Sequence, residues 1–497
     1  MHIGEILNLV YDEDVGWRPA SGGIKPVHVA NGLVRALSGR YHDTSALNKF
    51  IVWAKRGSAL DDRTFAALVE GDPDGAYAAF RDRPHDFDRA RRYARGLLNA
   101  DGAAFPAADQ SSLSLTCLAM ASRDPNDRGL GDFAALLLRD GGSSLTDRLL
   151  SSLDAERPMD PITTVVWPLL ESEGKPYKGN DRVGKALKRR HNQACMDALR
   201  AAAADLATHE AAQGNPLRTL QRAVHFACVA THAHAQALAA GGALADRPPA
   251  LVALGGHRRS DISIASERSL DLIYERFELW LADRVAARLA DKKPLKEDGD
   301  LLEVSKDGRT ARRVLASIGV GKTPHNEPDK EIVDARMANF QEAQRAFGKD
   351  DPARCLGHAL VAAYRREYVS GGPRAFLQTL GRRAGFLYPP FQGRAREKRV
   401  RPSVPVLDLL VRACVPAGEA VPLDDFLGRL WERFGLIVGG RKADDWEDGD
   451  VLAQHGVPVD ASALIGNTDE LVAQLVTMGL ARRYPDDVTF VGDGYVG

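Results

Sequence analysis

The sequence predicts a mainly α, multi-domain protein, on three observations. At 497 residues, the chain is long enough for about three or four domains of roughly 100–200 residues each. Apolar residues recur at steps of three and four along much of it, most regularly across 266–289. The last part changes pattern, with three short helical segments leading into two short runs that suit strands. Hydrophobic residues make up 44% and charged residues 27%, which sets the chain among globular proteins and apart from disordered ones.

The first segment, 1–125, reads as an N-terminal domain of short helices. Ala30 to Leu37, Ser45 to Arg56 and Phe87 to Leu98 have helical apolar spacing. Turn chemistry separates them at Gly22-Gly23, Asp72-Pro73-Asp74-Gly75 and Arg83-Pro84. A central helical domain is expected over 126–290. Leu130 to Arg139 is one helix, and Asp181 to His209 another, with Ala201 to Ala204 at its centre. Asn215 as cap and Pro216 in the first turn open a third, which ends at Gly241-Gly242 before a linker over 243–249. The clearest helix is Ser266 to Leu289. Leu270, Ile273, Phe277, Trp280 and Leu281 form its apolar face, and Ser266 and Ser269 stand where caps would. Segment 291–402 is a polar linker followed by helices near Arg309 to Ile318, Lys330 to Phe347, Pro352 to Val369 and Pro373 to Arg383. It ends in an exposed basic loop, Gly385 to Pro402.

The final segment, 403–497, carries the most specific pattern. Val406 to Val415 is a short apolar helix, and Pro422-Leu423-Asp424-Asp425 opens a second that runs to Phe434. A polar insertion follows, and Thr468 or Asp469 caps a third helix through Met478. Two short strands then flank Pro485-Asp486-Asp487 as a hairpin. Three helices ending in a hairpin resemble winged-helix domains in general, over about a fifth of the chain. The resemblance implies that the helix before the hairpin approaches a DNA groove, with Arg482, Arg483, Arg441 and Lys442 near phosphates. That helix holds no Arg or Lys, and Gln474 is its one base-reading side chain. Packing against protein is therefore the competing use.

Lys plus Arg number 66 and Asp plus Glu 67, for a net charge of −1, so any contact with nucleic acid must come from local patches. Two segments qualify. The first holds Lys175, Lys178, Arg182, Lys185, Lys188, Arg189 and Arg190; on one helix, residues 182, 185 and 189 share a face. The second holds Arg394, Arg396, Lys398, Arg399 and Arg401 beside Phe386, Tyr388 and Phe391, a mixture that suits phosphate contact with base stacking. Arg258 and Arg259 precede a helix start and make an anion-binding candidate.

No catalytic set is complete. Gly319-Val320-Gly321-Lys322-Thr323 imitates the end of a phosphate loop, but position 316 is Ala where the motif needs Gly. His225, Cys228 and His232 share a helical face with metal-competent atoms, in an apolar helix that reads as packed interior. Asp298, Asp300, Glu303 and Lys306 have the residue types of a metal-dependent nuclease but sit in a charged linker. His257 to Asp261 lacks a nucleophile elbow. No catalytic residue, metal or cofactor is assigned. The five cysteines contain no CxxC pair and read as buried free thiols of a reducing compartment. The N-terminus lacks a secretory pattern, and no stretch approaches a membrane span. The expected protein is a cytoplasmic, non-enzymatic, DNA-associated subunit of a bacterial multi-protein system, in a defence or mobile-element setting. It would dock DNA and other protein subunits through a winged helix and basic loops. The alternatives are a metal-dependent nuclease of unfamiliar pattern and a helical scaffold that binds only protein.

Overall fold

Helices dominate the computed structural model. It describes residues 3–19, 24–43, 66–67, 69–70, 81–89, 117–122, 127–153, 173–210, 216–255, 259–291, 304, 308–317, 330–367, 372–390, 398–439, 447–485 and 488–494. The expected helix Ser45 to Arg56 lies outside them.

Helix α1 (Ile3–Val10) runs on through a π-helical turn, Tyr11–Val15, and stops at Gly16 in a left-handed conformation. Helices α2 (Pro26–Ser38) and α3 (Leu130–Gly141) cross where neither has a side chain. A Cβ on Gly131 would lie 2.1 Å from the carbonyl carbon of Gly32, so the two backbones touch. The chain continues through α4 (Ser143–Leu153), α5 (Asp181–Leu187) and α6 (Arg190–Glu210).

The sequence reads α5 and α6 as one helix, and the structure breaks them at Lys188-Arg189. The buried Asn192 amide explains the break. It donates to the Ala186 carbonyl at 2.8 Å, in the last turn of α5, and to the Asp14 carbonyl at 2.9 Å. The π turn thus competes for the position that a continuous helix would need.

Helix α7 (Pro216–Ala239) packs between α6 and the long α8 (Asp261–Asp291). The expected caps Ser266 and Ser269 lie inside α8 and are buried. Ser266 Oγ donates to the Leu251 carbonyl at 2.6 Å and accepts from the Val400 amide at 3.0 Å, and Ser269 Oγ accepts from the Leu251 amide at 3.1 Å. A long polar-looking face therefore stitches two short strands to the helix. Helices α9 (Gly308–Ala316), α10 (Lys330–Phe347), α11 (Pro352–Glu367) and α12 (Pro373–Arg383) follow, with α11 lying against both α8 and α10.

Short strands tie distant segments together. β1 (Arg40–Tyr41) pairs antiparallel with β2 (Lys175–Pro176), and β3 (Ala250–Leu251) pairs parallel with β7 (Leu436–Ile437). β4 (Leu387–Tyr388) pairs antiparallel with β5 (Arg399–Val400). The last pair corrects the expectation of an open loop over 385–402: its two ends form a ladder with Phe386, Leu387 and Val400 buried, because apolar residues flank the charged run. Residues 391–397 lie outside the described set.

The C-terminal segment contains α13 (Val404–Arg412), β6 (Ala420–Pro422), α14 (Leu423–Phe434), α15 (Glu447–Gln454), α16 (Ala461–Thr477), β8 (Ala481–Arg483) and β9 (Thr489–Gly492). Its sheet has the order β6-β9-β8, antiparallel throughout. Asp460, not Thr468 or Asp469, caps α16, accepting from the Ser462 amide at 2.8 Å. Thr468 falls mid-helix, where its hydroxyl donates to the Leu464 carbonyl. One continuous buried cluster runs from Ile6 to Val491, and a smaller one joins β3, β7, α15 and α16 around Leu251, Ile437 and Leu464. Among the described residues no helix is long and apolar enough to cross a membrane.

Candidate nucleic-acid interface

The β1–β2 ladder lays residues 175–180 against the C-terminal end of α2, with the Tyr177 amide donating to the Gly39 carbonyl at 2.8 Å. Arg139 of α3 closes that end, donating to the carbonyls of Ala36 and Leu37 at 2.7 and 2.8 Å. Tyr177 is fixed next. Its hydroxyl donates to Asp132 Oδ2 at 2.8 Å while the Asn180 amide donates to Oδ1 at 3.1 Å. Burial, followed by the Asp132 charge, pushes the Tyr177 phenol up to about 12. The guanidinium of Arg35 lies 4.8 Å from the Tyr177 ring centre.

This frame borders an open cavity of about 450 Å³ onto which Lys178, Lys185, Lys188 and Arg139 converge. All three lysines are exposed, and among the described residues none has a carboxylate within ion-pair distance. The facing acids are Asp132, already engaged by Tyr177 and Asn180, and the exposed Asp181. Three of the four lysines of the first basic segment are thus brought together, while Lys175 lies on β2 with its Nζ 3.9 Å from Asp43. Arg189 and Arg190 are exposed, and the helix break takes Arg189 off the face of Arg182 and Lys185; its Nε donates to the Glu13 carbonyl at 3.3 Å.

A second cavity, of about 300 Å³, lies on the other side of Tyr177, Asn180 and Asp132, which line both. Of the residues at its centre, Arg182 was singled out from the sequence, as a member of the first basic segment, and Arg18, Arg35, Asp12 and Asp127 were not. Arg18 and Arg182 both bind the carboxylate of Asp12, Arg182 at 2.7 Å. Burial raises the Asp12 carboxyl, but hydrogen bonds from Arg18 and Arg182 outweigh it and hold the group below its usual range. Arg35 binds Asp127 at 2.8 Å, and Asp127 Oδ2 accepts from the Gly131 amide at 3.1 Å. No local signal marks this set, because Asp12 and Arg182 are separated by 170 positions. In the sequence, Asp12 and Asp14 are merely an acidic run.

The second basic segment is placed differently. Lys398 and Arg399 are 5% and 4% exposed. Lys398 Nζ donates to the Pro389 carbonyl at 2.8 Å. Arg399 and Arg401 lie 5.0 and 5.1 Å from the ring centre of the half-exposed Tyr388. Arg394 and Arg396 lie outside the described residues. Arg482 and Arg483 are exposed on β8, one of the two edge strands of its sheet, with Arg482 over the ring of Tyr484 at 5.2 Å. Arg259 is exposed just before α8, and Arg258 lies outside the described residues.

Of the chemical candidates, 318–329 and most of 292–307 lie outside the described residues, including Gly319 to Thr323, Asp298, Asp300, Glu303 and Lys306. His225, Cys228 and His232 face the interior, where burial lowers both imidazoles to about 4 and raises the thiol. His234 accepts from Trp17 Nε1 at 3.1 Å, and its Nε2 faces Asn192 Oδ1 at 2.8 Å. That pairing assigns the proton to Nε2. All five cysteines are free and buried. Among the described residues no three His, Cys, Asp or Glu side chains gather as a metal site. No protein-family model matches the chain, and no curated protein matches it.

Proposed function

We propose that this chain is a cytoplasmic, non-enzymatic, DNA-associated subunit of a bacterial multi-protein system, in a defence or mobile-element setting. It holds a nucleic-acid backbone on its lysine face and a protein partner on its C-terminal unit. The carrying observation is that Lys178, Lys185 and Lys188 converge on one cavity without carboxylate partners among the described residues, in a chain whose net charge is −1. Unpaired ammonium groups in an otherwise balanced chain are what displace counterions from phosphates. Arg189 and Arg190 follow the lysines along the chain, and Arg401, Arg482 and Arg483 are separate candidate phosphate contacts, Arg401 beside Tyr388 and the other two on β8. Lys398 and Arg399 hold the loop they belong to.

The C-terminal unit is read as a winged helix. Its order of helix, strand, helix, the short strand β7, two helices and two strands, with the first strand pairing to the last, supports this reading. The outer face of α16 carries exposed Ile465, Asp469 and Val476, and Gln474 is engaged by Glu470 at 2.8 Å. An apolar and acidic face suits protein, not phosphate.

The test is fluorescence anisotropy of the full chain with duplex and single-stranded DNA at low and moderate salt. Affinity should fall with salt, and Lys185→Ala with Lys188→Ala should reduce the log–log slope by about 1–2. No binding at the lowest salt would leave the protein-only scaffold. Cleavage of the probe on adding a divalent metal would favour the nuclease.

A further inference from the structure

We infer that the arginine cavity beside the lysine face captures the terminal phosphate of a nucleic-acid strand, an inference that rests on the function proposed above. The two cavities share Tyr177, Asn180 and Asp132 as a common wall, and that wall is held in place by the Tyr177–Asp132 and Asn180–Asp132 hydrogen bonds. A ligand crossing it meets lysines on one side and arginines on the other.

The arginine side carries unspent positive charge. Arg18, Arg35, Arg128 and Arg182 face Asp12, Asp127 and Asp132, an excess of one charge. Arg18 and Arg182 share one carboxylate. Arg128 is exposed and has no ion-pair partner among the described residues. It is also their one non-glycine with a left-handed backbone, φ 51, a conformation that an arginine adopts only when its surroundings impose it. The Arg18 amide donates to the Arg128 carbonyl at 3.0 Å, so the turn and the Arg18 segment are locked together. Gly129 follows at φ 90 and leads into α3. The result is a fixed turn that presents Arg128 to the cavity lined by Arg18 and Arg182.

The chemistry of the two sides orders the ligand. A phosphodiester is a monoanion met well enough by ammonium point charges. A terminal phosphate monoester approaches two negative charges at neutral pH, with three strong acceptor oxygens, and guanidinium forks match it. Size agrees: about 300 Å³ is at the small end of ligand pockets and takes a strand end, not a continuing duplex. The terminal phosphate enters between Arg128, Arg18 and Arg182, and the following diesters pass over Lys178, Lys185 and Lys188.

The test uses the full chain and one short single-stranded DNA in three forms: 5′-phosphate, 3′-phosphate, and hydroxyl at both ends. One phosphorylated form should bind about tenfold more tightly than the hydroxyl form, the effect of losing a charge-assisted hydrogen bond or more, and which one does so gives the strand direction. Inorganic phosphate should compete that advantage away. Arg128→Gly, which relieves the backbone strain, should bring the phosphorylated probe down to the hydroxyl one, and Arg182→Gln should do the same. Lys185→Ala with Lys188→Ala should weaken all three probes alike. Equal binding of the three by the unaltered protein would overturn this inference and leave the lysine reading standing. Binding of none would remove both.

Discussion

Three side chains buried in the interior couple the N-terminal turn to the helices beneath it. Trp17 donates to His234, His234 meets Asn192, and the Asn192 amide donates to Asp14 and Ala186 carbonyls. Burial, then the neighbouring His191 charge, lowers the His234 imidazole from its ordinary 6.5 to about 3. Because the folded value is the lower one, the unfolded chain takes up the proton first. The stabilisation is therefore complete above about pH 6.5 and is lost as pH falls toward 3. At pH 5 His234 alone should have cost about 2 kcal/mol. Urea midpoints at pH 7 and pH 5 test this. In His234→Leu the pH 7 midpoint should drop, since Trp17 and Asn192 lose a partner at about 1–3 kcal/mol, while the further loss at pH 5 should shrink. An unchanged loss at pH 5 would assign the acid sensitivity to His225 and His232.

Among elements, the crossing of α2 and α3 positions the arginine cavity. Arg35 comes from α2, Asp127 from the turn before α3, and the two helices approach through Gly32 and Gly131. Alanine at 131 would put a methyl 2.1 Å from backbone that has nowhere to go. Gly131→Ala should cost about 3 kcal/mol or more, read as a lower melting temperature. If it folds with an unchanged melting point, the helices do not touch as described. Helix spans were largely legible in sequence: Lys330–Phe347 and Pro373–Arg383 agree residue for residue, because their apolar spacing and proline or charged ends are local signals. The α5–α6 break was not legible, since its cause, the Asp14 carbonyl, lies 178 positions from Asn192. Ser266 and Ser269 misled for the same reason: a serine that caps and a serine that bonds a distant strand look alike in one dimension.

For the whole molecule, the C-terminal unit is joined to the rest through its backbone. β3 pairs with β7, and the buried Asn467 donates to Val252 and Val438 carbonyls at 2.7 and 2.9 Å while accepting from the Leu254 amide at 2.9 Å. With one buried cluster from Ile6 to Val491, unfolding followed by tryptophan fluorescence and by far-ultraviolet circular dichroism should trace coincident curves in denaturant. Separate transitions would instead support 403–497 as a domain that unfolds by itself.

The sequence by itself determined that the protein is mainly helical, roughly where many of its helices run, and that a basic segment lies over 175–190. Those follow from periodicity, capping and composition within a few residues. Only the tertiary structure decided which cations are spoken for. Arg182 is drawn to Asp12, Arg284 and Arg288 to Asp14, and Lys398 to a carbonyl inside the fold, whereas Lys178, Lys185 and Lys188 come together on a cavity. Ion pairing depends on distance in space, and packing sets that distance between residues far apart along the chain.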